Sequence, residues 1–156
     1  MRTVGVIGLG NMGMGIAKNL LKAGFTTRGY DLFEAKREEL RGYGGVPCFS
    51  PAEVGDGAEV VFVMVMNGAQ ALDVAFGENG LCKTMKPGSV LFLTATIGMG
   101  YAQQLAKGLQ EYGIEMIDSG VSGGLSGAHN GTLTLMASGK KEVYDSCKDV
   151  MDAIAS

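Results

Sequence analysis

Three glycines near the start of the chain stand at a spacing that can cradle a phosphate. The run Gly8-Leu9-Gly10-Asn11-Met12-Gly13 is GxGxxG, and each glycine has a separate task if the run joins a strand to a helix. Gly8 permits a tight turn, Gly10 lets the backbone approach a pyrophosphate, and Gly13 lets the helix pack close on the strand. The helix N-terminus then turns free N–H groups and the positive end of its dipole toward the anion. Asp31 follows Gly13 by 18 positions, against the ~20 expected of a carboxylate that accepts from a ribose hydroxyl. Such a carboxylate also repels a 2′-phosphate, since like charges ~4 Å apart cost about 4 kcal/mol at an effective dielectric of 20. The nearest cations, Lys36 and Arg37, stand a helical turn or more further on. NAD is therefore expected in preference to NADP. A glycine turn with a helix-capping aspartate has the same residues and no nucleotide, so the motif depends on the elements around it.

Those elements can be read along the chain. Val4–Ile7 is a short continuous apolar run, as in a strand buried on both faces. A helix follows through Ile16, Ala17, Leu20 and Leu21, closed by Gly24 at C′. Thr26–Tyr30 reads as a second strand that delivers Asp31. Phe33–Tyr43 reads as a helix whose charge run, Glu34–Arg41, is a solvated face with like-charged i,i+4 pairs. Val46–Phe49 is a third strand, and Ser50-Pro51 caps a short helix ended by Gly55 and Gly57. Val60–Met66 predicts the fourth and most apolar strand, Ala69–Phe76 a short helix, Gly77–Gly88 a loop and Ser89–Thr94 a fifth strand.

Met99–Tyr112 is amphipathic, with Leu105, Leu109 and Tyr112 on one side. Met116–Asp118 predicts a sixth strand, followed by a polar glycine-rich loop to Gly131 and another strand at Thr132–Ala137. Lys140–Ala155 reads as one closing helix with Val143, Cys147, Val150, Met151 and Ile154 on a single stripe. Strands alternating with helices predict one α/β domain over residues 1–156, a Rossmann-type doubly wound, mainly parallel sheet with helices on both faces. Ligands of such sheets sit beyond the carboxyl ends of the strands. The loops after strands one, four, five and six are therefore expected to carry function.

Composition narrows the partners. The 156 residues carry 13 Lys and Arg against 16 Asp and Glu, a net charge of −3, which lacks the basic footprint of a nucleic-acid binder. Glycine makes up 26 of the 156 residues, but without a three-residue period and with apolar runs between, so neither collagen nor disorder fits. The longest unbroken apolar run, Val60–Met66, is far short of a membrane span, and no secretory cleavage site precedes the first strand. Cys48, Cys82 and Cys147 are odd in number and form no CxxC pair, which predicts reduced, mostly buried thiols. The single histidine, His129, cannot anchor a metal cluster and reads as a solvated loop residue. An intracellular, cytoplasmic domain without metal, membrane or nucleic-acid partner is expected.

Beyond these readings, the sequence resembles the β-hydroxyacid dehydrogenases. That family includes 3-hydroxyisobutyrate dehydrogenase, tartronate semialdehyde reductase and L-threonate dehydrogenase, with 6-phosphogluconate dehydrogenase a relative. The glycine run, followed by Ala17, Asn19-Leu20 and Ala23-Gly24, is similar to the family's opening signature. Asp118-Ser119-Gly120-Val121-Ser122-Gly123-Gly124, then Gly127-Ala128 and Gly131-Thr132-Leu133-Thr134, is similar to its substrate-binding segment. The likeness runs from Val4 to the chain end. It implies cofactor contacts at Gly8, Leu9, Gly10, Asn11, Met12, Gly13, Asp31, Val65, Met66, Gln70 and Thr96. It also implies a substrate carboxylate held by Ser122, Gly123 and Gly124, where a serine followed by glycines can form an anion-binding nest. There are departures: Val65-Met66 replaces Leu-Pro, Ala95 and Gly98 stand where serine is usual, and Gly120 where proline is usual. Met66–Gln70 is closer to the threonate-type branch.

The resemblance further implies that the catalytic lysine lies on a helix beyond Ser156, in advance of a C-terminal helical domain for substrate and dimer contacts. No catalytic residue is then expected in this chain, and Lys140, Lys141 and Lys148 read as a solvent face. The full enzyme is expected to be an NAD-dependent homo-oligomer oxidising a small 3-hydroxy acid, and this chain to bind NAD with little or no turnover. If a following domain covers the stripe Val143–Ile154, the chain alone exposes it and self-associates. A free-standing NAD(H)-binding sensor or assembly module is an alternative with the same motifs.

Overall fold

The computed structural model describes residues 2–94, 97–122 and 124–155. Seven strands form one sheet: β1 (Thr3–Ile7), β2 (Thr26–Tyr30), β3 (Val46–Pro47), β4 (Val60–Val63), β5 (Val90–Leu93), β6 (Glu115–Ser122) and β7 (Thr134–Ser138). Their spatial order is β3-β2-β1-β4-β5-β6-β7. The first six run parallel, and β7 pairs antiparallel with β6. Between them lie α1 (Asn11–Lys22), α2 (Glu34–Gly42), α3 (Pro51–Gly55), α4 (Gly68–Phe76), α5 (Met99–Glu111), α6 (Gly124–Asn130), α7 (Lys141–Ser146) and α8 (Lys148–Ile154). The strand order reverses between β1 and β4, so the loops leaving those strands diverge and open a crevice there.

The period-two alternation of the central strands builds two cores. Val60, Phe62, Val90 and Phe92 face one side with Val4, Val6 and Ile117, under α1, α2, α6 and α8. Val61, Val63, Leu91 and Leu93 face the other with Ile7, under α3, α4 and α5. Phe62 and Phe92 are register partners whose ring centroids lie 4.7 Å apart. Apolar on both faces, β4 and β5 are fully buried, as strands of a doubly covered parallel sheet must be.

Several expected boundaries shift for physical reasons. β4 stops at Val63 rather than Met66 because its neighbours end: β1 gives way to the glycine loop after Ile7, and β5 ends at Leu93. The polar loop expected after Asp118 is instead strand and helix. Pairing with β7, from Asp118↔Ser138 to Ser122↔Thr134, carries β6 to Ser122 despite weak local strand propensity. The single closing helix is two helices broken at Cys147. The Ser146 hydroxyl bonds the Val143 carbonyl at 2.6 Å, and Arg2 takes the Ser146 carbonyl at 2.8 Å, so the helical ladder is diverted there.

The apolar stripe also differs from expectation. Cys147, Val150 and Ile154 are fully buried and Met151 nearly so, packed into the core beside α1. Val143 is half-buried, so the stripe offers little of the exposed surface through which self-association is expected.

α6 is held by α1 rather than by its own sequence. A Cβ on Gly15 would stand 2.8 Å from Ala128, so the helices approach as closely as a glycine allows. Asn19 Nδ2 donates to the carbonyls of Gly15 (3.0 Å), Ala128 (2.6 Å) and His129 (3.1 Å). The last two are end-of-helix acceptors that the α6 ladder cannot satisfy. Asn19→Ala is expected to lower unfolding free energy by about 1–3 kcal/mol, the cost of orphaned polar groups. Urea titration checks this: a lower midpoint at unchanged slope is the expected result, and an unchanged midpoint would mean that the seam does not need this side chain.

Candidate cofactor site

The site is built where β1 runs out. Gly8 adopts φ +94, and its N–H donates to Tyr30 C=O at 2.9 Å. A side chain there would run into the Met64 carbonyl, and one at Gly13 into the Gly8 carbonyl, so both positions are closed to anything larger than hydrogen. Gly10 has nothing within 4 Å of a notional Cβ; its face is open. The three glycines thus divide into two that pack and one that presents backbone outward.

α1 begins at that open glycine. Its N-cap is Gly10, with no side-chain cap and no acid in the first turn. The first bond closing the helix runs from Met14 N–H to Gly10 C=O at 2.8 Å. The N–H groups of Asn11, Met12 and Gly13 are therefore left without an intrahelical acceptor. By contrast, α3 and α4 are capped by the Ser50 and Asn67 side chains. Open backbone, unused donors and the helix dipole suit a pyrophosphate, so the residues present fit a dinucleotide.

Asp31 stands beside this loop and does more than the spacing implied. One carboxylate oxygen accepts Leu9 N–H at 2.8 Å, and the other accepts Phe33 N–H at 2.9 Å. A carboxylate has about four acceptor sites, so each oxygen retains capacity for a ribose hydroxyl. The same side chain thereby ties the glycine loop to the turn after β2, with Leu9 buried in the core as the anchor. The charge run predicts Arg37 on a solvated helix face. It turns inward instead, and its Nη1 donates to the Asp31 carbonyl at 2.7 Å and the Leu32 carbonyl at 3.2 Å. On the outer face Lys36 pairs with Glu39 (3.8 Å) and Glu38 with Arg41 (3.6 Å), each at i,i+3.

The loop after β4 completes the near wall. Val65 is half-buried, and Met66 is 88% exposed. Gln70 Oε1 accepts Met66 N–H at 2.8 Å while Asn67 Oδ1, the N-cap of α4, accepts Gln70 N–H at 2.9 Å, a relative of the capping box that reaches one residue further back. Gln70 thus shapes the loop through its carbonyl and keeps its amide donors. Thr96 and Gly123 lie outside the described residues. Ser122 ends β6 and Gly124 opens α6, at the same carboxyl end of the sheet.

Other titratable groups lie apart. Burial raises the Asp118 carboxyl; this residue lines a cleft of about 820 Å³ between α5 and β6 together with Ile97, Met99, Met116 and Lys140. His129 sits on α6, half-buried, with Nδ1 3.5 Å from Lys18 Nζ; it is not a loop residue. Cys48, Cys82 and Cys147 are free and buried. Burial pushes all three thiols up, Cys82 to about 11, away from the reactive thiolate. Among the described residues no group of three His, Cys, Asp or Glu side chains is gathered for a metal ion. No helix there is long and apolar enough to cross a membrane.

Fold and crevice together define a dinucleotide-binding domain of the Rossmann type. The chain belongs to the family described as the NAD binding domain of 6-phosphogluconate dehydrogenase, which it matches over residues 3–156. It is 44% identical over 154 residues to L-threonate dehydrogenase from Cupriavidus necator, covering 99% of this chain and 52% of that protein. It is 36% identical over 153 residues to mitochondrial 3-hydroxyisobutyrate dehydrogenase from Mus musculus, covering 98% and 46%. The crystal structure of 3-hydroxyisobutyrate dehydrogenase from Salmonella typhimurium superposes with a TM-score of 0.94 at 37% identity, covering all of this chain and 54% of that one. The chain spans about half the length of the curated relatives it matches.

Proposed function

We propose that this chain is the cofactor half of an NAD-dependent dehydrogenase acting on a small hydroxy acid, threonate-like before glycerate- or 3-hydroxyisobutyrate-like. The observation that carries it is the uncapped start of α1 behind Gly10, set beside a carboxylate already tied to Leu9 N–H. Gly8 to Gly13 hold the pyrophosphate through backbone donors, and Asp31 accepts from the adenosine ribose. Val65, Met66, Gln70 and Thr96 line the path to the nicotinamide, where the bound cofactor supplies the hydride acceptor. Ser122, Gly123 and Gly124 hold the substrate carboxylate. The order of preference among acids follows the relatives, the L-threonate dehydrogenase being the more similar of the two named.

The whole protein on this reading continues into a helical domain that supplies a lysine base, closes the substrate pocket and forms the homo-oligomer in the cytoplasm. Residues 1–156 alone bind NAD(H) and turn over little or nothing. None of the described lysines is offered as the base: Lys140 pairs with Glu115 at 3.6 Å and Lys148 with Asp152 at 3.5 Å.

Calorimetric titration with NADH and separately NADPH tests the reading. NADH should bind with NADPH at least about tenfold weaker, a difference of ~1.4 kcal/mol. Equal affinities would overturn Asp31 as selector, and failure of both to bind would overturn the cofactor site.

A further inference from the structure

Arg37 is a cation the binding scheme leaves unused. A basic residue shortly after the second strand is the group that accommodates a 2′-phosphate in NADP-dependent relatives of this fold, so by type alone Arg37 contradicts Asp31. Its geometry removes the conflict. Nη1 donates to the carbonyls of Asp31 and Leu32, both in the turn that delivers the carboxylate. The guanidinium carbon lies 5.3 Å from the centroid of the Phe49 ring, and Nε is buried without a partner. Among the described residues no carboxylate approaches its nitrogens within the 4.0 Å of an ion pair, the adjacent Asp31 included.

We infer that Arg37 is a positioning residue for cofactor choice: its guanidinium braces the Asp31–Leu32–Phe33 turn from behind and is thereby withheld from the ribose side. The inference rests on the cofactor reading above. Two main-chain carbonyls offered to one nitrogen orient the turn more firmly than a solvated side chain does, because hydrogen bonds to a charged donor are the stronger kind. A buried donor left unpaired is costly. The two carbonyls and the Phe49 ring together set this pose. The carboxylate is held forward, and the cation that would welcome a phosphate is engaged elsewhere. Preference for NADH then depends on two residues acting in sequence, Asp31 through its charge and Arg37 through the backbone that carries Asp31.

The test is the ratio of NADH to NADPH affinity in Arg37→Ala and Arg37→Lys, with melting temperature recorded for each. Arg37→Ala should weaken NADH about tenfold, equivalent to one charge-assisted hydrogen bond, and leave NADPH within about twofold, so the ratio falls. Arg37→Lys keeps the charge and an aliphatic stem over Phe49 but not the planar fork. It should melt like the parent and lose part of the ratio. A lower melting temperature with an unchanged ratio would reduce Arg37 to a packing role and overturn the inference. A tighter grip on NADPH in the parent than in both variants would show the guanidinium meeting the phosphate directly, which also overturns it. If the parent binds neither dinucleotide, the cofactor reading fails and this inference falls with it; if the parent prefers NADH and the variants keep that preference, only this inference falls.

Discussion

Gly13→Ala is expected to abolish measurable NADH binding and to lower the unfolding free energy by about 3 kcal/mol, the upper end of ordinary overpacking costs. The added methyl meets the carbonyl oxygen of Gly8, a backbone atom with no rotamer to escape into. Either α1 backs away from β1, or the Gly8 turn opens; both move the first-turn N–H groups off their common target. Gly10→Ala is the informative companion. Nothing lies within 4 Å of its Cβ, and its φ of −67 suits alanine, so stability should fall by no more than about 1 kcal/mol, the preference for glycine over alanine at an N-cap. NADH affinity should nevertheless drop at least about tenfold, because the methyl stands where the pyrophosphate must approach. Urea unfolding and calorimetry on both variants separate the roles. Equal stability losses, or a Gly10→Ala protein that binds NADH normally, would show the glycines to be turn residues and nothing more.

Asp31→Ala carries the second large effect, and it is a compound one. The substitution removes the acceptors of Leu9 N–H and Phe33 N–H together. Leu9 is fully buried, so its amide has no ready access to water. A stability loss of about 2–3 kcal/mol is expected from these orphaned donors, with NADH weakened at least about thirtyfold, or ~2 kcal/mol. Asp31→Asn resolves the two parts. Its single carbonyl oxygen can keep one of the two amide bonds while the negative charge is gone, so stability recovers in part and discrimination against NADPH collapses. A stable Asp31→Ala protein with normal NADH affinity would refute both the clasp and the ribose contact.

What the sequence disclosed and what it hid follow a physical division. The glycine spacing, Asp31 and the central strands were legible because local sterics and two-sided burial act within a few residues: Val60–Val63 and Val90–Leu93 are apolar at every position. The glycine-rich stretch 119–131 was not. Its strand is recruited by β7, which pairs Asp118 with Ser138 and Ser122 with Thr134, and its helix by Gly15 and Asn19, partners a hundred residues away in the chain. The break at Cys147 was hidden for a similar reason, since Arg2 reaches across from the other terminus to take the Ser146 carbonyl. Arg37 misled by composition. Among Glu34, Lys36, Glu38 and Glu39 it reads as one more surface charge, and only the fold shows which of those side chains turns inward. The double duty of Asp31 had a signal, since the residue after a tight glycine must place its amide somewhere, but spacing alone does not name the acceptor.

The closeness of α1 and α6 has a mechanical consequence. At Gly15 the two helices meet with only the Ala128 methyl at the contact, and Asn19 pins the far end of α6. Such a joint has little slack, since close backbone packing resists sliding and rolling. α1 starts at the glycine loop, and α6 starts at Gly124, directly after the segment that ends β6. The span between those two starting points is therefore a built-in gauge, set by the joint rather than by either loop.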